Sequence, residues 1–198
     1  MNLGLLVLLL LAPLVRTVWI ATQVGLGANP LERLIHLFGS AALFVLVFLL
    51  CLPIVTRLAK GNKFLQDWTR RRRLIGLSAL AYGTVHLGLY GLDQWWSPKF
   101  WANLGRPFVW TGFVSWVIFL ALGLTSNQIS RVRLKKNWQR LHRLVWLCVP
   151  LLVVHLTLKE EGALALALWW FGPLAALWLT ERTLKLRRTR REAESLGH

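Results

Sequence analysis

Acidic residues are scarce in this sequence. Eight Asp and Glu stand against 24 Lys and Arg in 198 residues, a formal net charge of +16. On the less basic side of the chain only Glu32, Asp93, Glu160 and Glu161 are available, too few and too scattered to form an acidic cluster that captures a free metal ion. Cysteine is scarce as well. Cys51 and Cys148 both fall in apolar runs without CxxC spacing, which excludes a disulfide framework and a thiolate zinc site and leaves two small core residues. The Gly25-Leu26-Gly27 turn has no strand before it, so a dinucleotide-binding fingerprint is excluded. Long polar stretches are missing too, and that leaves no room for a soluble domain.

What the chain has in abundance is apolar sequence: 56% of residues are hydrophobic and the mean hydropathy is +0.50. Six apolar windows stand out, Leu3–Thr22, Leu34–Val55, Leu74–Leu92, Phe108–Leu124, Leu141–Leu158 and Ala163–Thr180. Each is close to the ~17–25 residues that cross a ~30 Å hydrocarbon core as a helix. Lipid offers the backbone no hydrogen bonds, so spans must be helical. The expected fold is an all-α integral membrane protein, a six-helix bundle forming one domain over residues 1–198. Met1–Thr22 lacks a basic n-region and carries Arg16 inside a long apolar run, so it is expected to be an uncleaved first span.

The basic residues alternate with the windows. Nineteen lie in the Arg57–Arg73 connection, the Arg131–Arg143 connection and the tail after Thr180, whereas only Arg33, Lys99, Arg106 and Lys159 lie on the opposite side. By the positive-inside rule the richer side is cytoplasmic, with both termini there and residues 181–198 forming a basic, frayed cytoplasmic tail. This placement accounts for the charge, and nucleic acid is excluded as a partner. Arg16, in the outer half of the first window, reads as a side chain that snorkels to the interface. Trp95, Trp96, Phe100 and Trp101 read as an interfacial aromatic belt.

Five histidines remain, of which His198 is terminal. A histidine in a membrane-length apolar run is costly unless partnered. His86 lies deep in the third window, His142 and His155 at either end of the fifth, and His36 near the outer end of the second. His142 and His155 are separated by 13 residues, roughly 20 Å along a helix, so His155 shares its depth with His86 rather than with His142. Two imidazoles at one depth on different helices suit bis-histidine ligation of one haem iron. Gly83 and Gly88 flank His86 and would let a flat macrocycle approach. On a straight helix His142 and His155 point about 140° apart. Pro150 removes the bond to the Trp146 carbonyl, and a kink or π-bulge there would bring the faces closer; without one, His142 faces a different neighbour from His155. Arg71, Arg72 and Arg73 offer charge for a flavin phosphate or for haem propionates.

These residues sit in longer stretches that resemble the MsrQ (YedZ) family, haem-binding membrane subunits of the periplasmic protein-methionine-sulfoxide reductase system. The resemblance covers nearly the whole chain: G-L-G-A-N-P-L-E-R-L-I-H-L-F-G, then R-R-R-L-I-G-L with T-V-H-L-G-L-Y, then R-P-F-V-W-T-G-F-V-S-W, then L-T-S-N with W-Q-R-L-H-R-L-V-W-L. The wider pattern of six spans with histidines on the third and fifth is similar to the ferric reductase and NADPH oxidase transmembrane domain. The resemblance implies a bacterial inner-membrane cytochrome b with one or two haems b on His86, His142 and His155, and FMN. It also implies electrons from a cytoplasmic flavin reductase or from quinol, delivered to the periplasmic molybdopterin reductase MsrP, which repairs oxidised methionine. Catalysis of sulfoxide reduction would then belong to the partner.

This chain departs from the wider pattern at one place. Ferric reductases carry two histidine pairs, but one pair-spacing before His86 falls at Arg72 and Arg73. The sequence also shows no FAD or NADPH segment, so the donor is expected to be another protein or a lipid-soluble carrier. Two other readings of the histidines stand beside this one: a stand-alone ferric or cupric reductase, and a proton-coupled transporter whose histidines relay protons.

Overall fold

Apolar composition becomes helix along nearly the whole chain in the computed structural model, which describes residues 3–60, 62–94, 98–103, 105–159 and 163–196. Helix α1 (Leu3–Trp19) runs into a π-helical turn, Ile20–Val24. The second helix, α2 (Pro30–Leu58), begins as its sequence dictates. Asn29 accepts from the Glu32 amide at 3.3 Å and donates to the Glu32 carboxylate at 2.9 Å, and Pro30 takes the first position, where no amide is needed. A short helix α3 (Lys63–Arg70), capped by Asn62, leads through Arg71 into α4 (Arg72–Asp93). Then come α5 (Pro98–Asn103), α6 (Pro107–Leu124), α7 (Gln128–Leu134) and α8 (Lys136–His142). A 3₁₀ segment, Arg143–Trp146, joins α8 to α9 (Cys148–Thr157), and α10 (Ala163–Leu196) completes the chain.

The distortion between His142 and Pro150 is a 3₁₀ segment rather than a π-bulge. It ends at Trp146, whose carbonyl proline cannot serve.

Five of these stretches are long and apolar enough to cross a membrane: Pro30–Leu58, Arg72–Asp93, Pro107–Leu124, Lys136–Thr157 and Leu164–Arg187. The first window yields a shorter apolar helix, Leu10–Val24. Large apolar side chains stand far out on the outer faces, Val15 at 63%, Leu124 at 68% and Trp169 at 77% exposure, a surface that suits lipid and not water. The chain is a multi-pass membrane protein.

Helix α2 is the hub. One of its sides packs with α3 and α4 through Ala41, Val45, Leu52, Trp68, Ile75, Ala79 and Tyr82. Its other side packs with α9 and α10 through Leu43, Leu46, Leu50, Ile54, Leu156 and Phe171. The closest partnerships are α2 with α4 and α6 with α9. Tyr82 ties α1 to α4 by donating to the Leu10 carbonyl at 2.7 Å.

The tail departs from expectation. Its described part continues α10 as helix to Leu196 instead of fraying. Glu181, only 8% exposed, receives Arg57 Nε at 2.6 Å and Nη2 at 2.9 Å, and Lys185 Nζ at 2.9 Å. A bidentate guanidinium–carboxylate pair of this kind fixes α10 against the basic end of α2. Trp95, Trp96, Glu160, Glu161 and His198 lie outside the described residues. Trp101 is exposed.

Candidate cofactor site between facing histidines

The two helix pairs, α2 with α4 and α6 with α9, close around an apolar cavity. His86 projects into it from α4 and His155 from α9. Their ring centroids are 6.4 Å apart and their ring planes stand at 85°. Leu46, Phe113, Trp116, Leu152 and Trp170 supply apolar walls.

Each ring is oriented by a backbone carbonyl of a neighbouring helix. His86 Nδ1 lies 2.8 Å from the Ile35 carbonyl oxygen on α2, and His155 Nδ1 lies 2.6 Å from the Phe108 carbonyl oxygen on α6. A carbonyl only accepts, so Nδ1 carries the proton in both rings and Nε2 keeps its lone pair. That is the arrangement a metal-binding imidazole requires, with the second nitrogen tied down to set tautomer and ring angle. Among the described residues no group of three or more His, Cys, Asp or Glu side chains converges, so a closed multi-ligand metal site of the zinc type is not formed there.

The two halves are built alike, and the glycines matter to that likeness. Gly39 lies one turn beyond Ile35 and Gly112 one turn beyond Phe108. A Cβ on Gly39 would stand 2.9 Å from His86 Nδ1, and one on Gly112 would stand 2.8 Å from His155 Nδ1. The glycines singled out beside His86 in the sequence are less constrained. A Cβ at Gly83 would reach only Trp116, at 4.0 Å, and one at Gly88 would meet nothing within 4 Å. A sequence signal for these carbonyl–glycine pairs is present, because Arg33-Leu-Ile35-His-Leu-Phe-Gly39 and Arg106-Pro-Phe108-Val-Trp-Thr-Gly112 share an Arg-x-apolar-x-x-x-Gly pattern, and each pair forms a seat for one imidazole. The histidines follow their carbonyls by 51 and 47 residues.

His36 lies at the cavity rim with Lys159, whose Nζ is 3.0 Å from its Nδ1 and 3.2 Å from its Nε2; Glu32 is 3.9 Å away. Among the described residues Lys159 is the lysine at the rim, and Glu32 lies beside His36 outside the lining. Arg71, Arg72 and Arg73 do not line the cavity.

His142 stands apart from this cavity, near the basic end. Its Nε2 is 3.2 Å from Thr125 Oγ1 and its ring stacks on Trp138 at a centroid distance of 4.0 Å. The Arg131 guanidinium lies over Trp138 at 5.3 Å, and Arg72 is near enough for its charge to act on His142. Trp138 Nε1 donates to the Thr125 carbonyl at 2.9 Å. The expected iron ligands thus separate into a facing pair and a lone histidine among arginines.

A membrane-embedded helical bundle with two oriented imidazoles facing across an apolar cavity defines a class of membrane electron-transfer domain. Residues 38–153, more than half of the chain, match the ferric reductase like transmembrane component, and the protein belongs to that family. The matched stretch contains His86 and His142 and ends just before His155. No solved structure matches the chain.

Proposed function

We propose that this protein is a haem-b cytochrome of the MsrQ (YedZ) kind, carrying electrons across a bacterial inner membrane. The observation that carries the reading is the facing pair His86–His155. Two metal–imidazole bonds of about 2 Å on opposite sides of one iron bring ring centroids to about 6 Å apart. The observed 6.4 Å agrees. Both rings also hold the proton on Nδ1, and the cavity walls are apolar.

His86 and His155 would hold the iron through Nε2. The Ile35 and Phe108 carbonyls keep the Nδ1 protons in place and make each Nε2 a stronger donor. Leu46, Phe113, Trp116 and Leu152 exclude water, which keeps the site at low dielectric. Lys159 at the rim would offer a cation to haem carboxylates. Bound haem supplies one-electron oxidation and reduction.

At the basic end Trp138 and His142 offer stacked ring surfaces, and Arg72 and Arg131 offer positive charge, with Arg71 and Arg73 in the adjoining run. This chemistry fits FMN, an aromatic ring bearing a phosphate. A second haem on His142 would need an opposite ligand, and the charge facing it is Arg72.

The remaining parts of the proposal rest on charge placement and on the resemblance. Six spans, with Leu3–Val24 counted as the first, put both termini and the nineteen basic residues in the cytoplasm. Electrons then enter from a flavin reductase or from quinol and leave on the periplasmic side to MsrP. Membrane vesicles holding the protein, given NADH and a flavin reductase, should reduce purified MsrP. Vesicles whose haem becomes reduced while MsrP stays oxidised would contradict the partner assignment.

A further inference from the structure

We infer that Gly39 and Gly112 are positioning residues for the facing imidazoles, each opening a helical carbonyl to a second donor. In an α-helix the carbonyl of residue i already accepts from the amide of residue i+4. Ile35 and Gly39 stand in that relation in α2, as Phe108 and Gly112 do in α6. A second donor must approach alongside residue i+4, where a side chain would ordinarily stand. With glycine there, the imidazole lies against bare backbone and Nδ1 reaches the carbonyl, at 2.8 Å for His86 and 2.6 Å for His155. An added Cβ would stand 2.9 and 3.0 Å from Nδ1 and Cε1 of His86, and 2.8 and 2.9 Å from those of His155. Neither ring can yield sideways without losing its carbonyl, so each must swing about its Cβ. The seats therefore fix both the ring separation and the 85° between ring planes.

The inference deepens the haem reading, and its tests are of two kinds so that the two can fail separately. The first is spectroscopic. Gly39→Ala and Gly112→Ala are expected to lose haem to an apo-globin scavenger about 10–100-fold faster, the loss typical when a metal ligand's orienting partner is disturbed. Their ferric EPR anisotropy, which follows the angle between the imidazole planes, should change as well. Gly76→Ala, on the same helix as His86 but off the cavity, where a Cβ would meet only Leu49 at an ordinary 3.6 Å, should keep the wild-type spectrum and retention. Gly123→Ala is the packing control. Its Cβ would overlap Leu80 Cδ2, the far end of a flexible side chain away from the rings, so stability should fall while the EPR signal stays put. Wild-type spectra and retention in both Gly39→Ala and Gly112→Ala would overturn the inference.

The second test needs no haem. In the apo-protein, Gly39→Ala is expected to lower thermal stability when His86 is present and to be neutral or stabilising in a His86→Ala background, where the new methyl fills the space the ring left. Gly112→Ala should behave the same way with His155→Ala. An equal loss in both backgrounds would assign the glycines to general helix packing and overturn the inference, even if the haem reading stands. A colourless wild type would remove the haem reading and leave this cycle intact as a test of the seats.

Discussion

His86–His155 and His142–Arg72 occupy comparable positions in two layers of one bundle, and they differ in who supplies the second ligand. In the first layer each helix pair contributes the same three parts: an apolar residue's carbonyl, a glycine one turn on, and an imidazole from the next long helix. The result is two equivalent nitrogens facing each other across an apolar space. In the second layer only one half contributes a histidine. Arg72 begins α4, 14 residues before His86 and within about 40° of its face on a straight helix, where a matching ligand would stand. His142 has turned instead to Thr125 and Trp138. In the proposed function, symmetry of supply is what suits the first layer to an iron between ligands. Its absence is what suits the second to a phosphate-bearing ring.

The largest effect expected from this contrast is the loss of haem from His86→Ala and from His155→Ala, equally and completely, because a pair has no spare member. Haem-to-protein ratio in detergent checks it, and full occupancy in either variant breaks the pairing. The same ratio in His142→Ala should stay at the wild-type value.

Next in size, Trp138→Ala or Arg72→Ala should weaken FMN binding about tenfold, as loss of a stacking surface or of a charge-assisted contact does, with the haem spectrum unchanged. Fluorescence titration with FMN measures this. Equal loss of FMN and haem from either variant would merge the two layers into one site.

A smaller effect belongs to neither layer. Glu181→Ala removes the clamp between α2 and α10, and with Arg57 half exposed the loss is expected to be about 1–2 kcal/mol. Thermal unfolding in detergent should shift down by a few degrees without a spectral change.

The smallest is Thr125→Val. It strips His142 of one hydrogen-bond partner for about 1 kcal/mol and leaves the first layer untouched. A spectral shift of the haem in this variant would show that His142 belongs with the pair.

The helices and the facing pair were legible in the sequence because both rest on simple periodicities. Apolar runs of membrane length have one solution for their backbone, and residue counts along helices put His86 and His155 at one depth. Pro150 marked where the helix would lack an amide partner, but not that the chain would answer with a 3₁₀ segment. Other features depended on tertiary neighbours. Glu181 read as one acid in a basic tail, and only the approach of Arg57, 124 residues away, makes it a clamp. Gly83 and Gly88 drew attention because they are next to His86 in sequence, whereas Gly39 and Gly112 act on rings that arrive from other helices. The repeated Arg-x-apolar-x-x-x-Gly pattern was visible, but its meaning lies in the second lone pair of a carbonyl, and nothing along the chain says what will come to use it.

The measurement that tests the central claim most directly is the visible spectrum of the purified protein, oxidised and dithionite-reduced, with haem and protein quantified in the same sample. The account predicts a low-spin b-type spectrum at about one haem per chain, absent from both His86→Ala and His155→Ala and retained in His142→Ala. A colourless protein expressed with haem supplied, or a spectrum that survives the loss of either facing histidine, would contradict it.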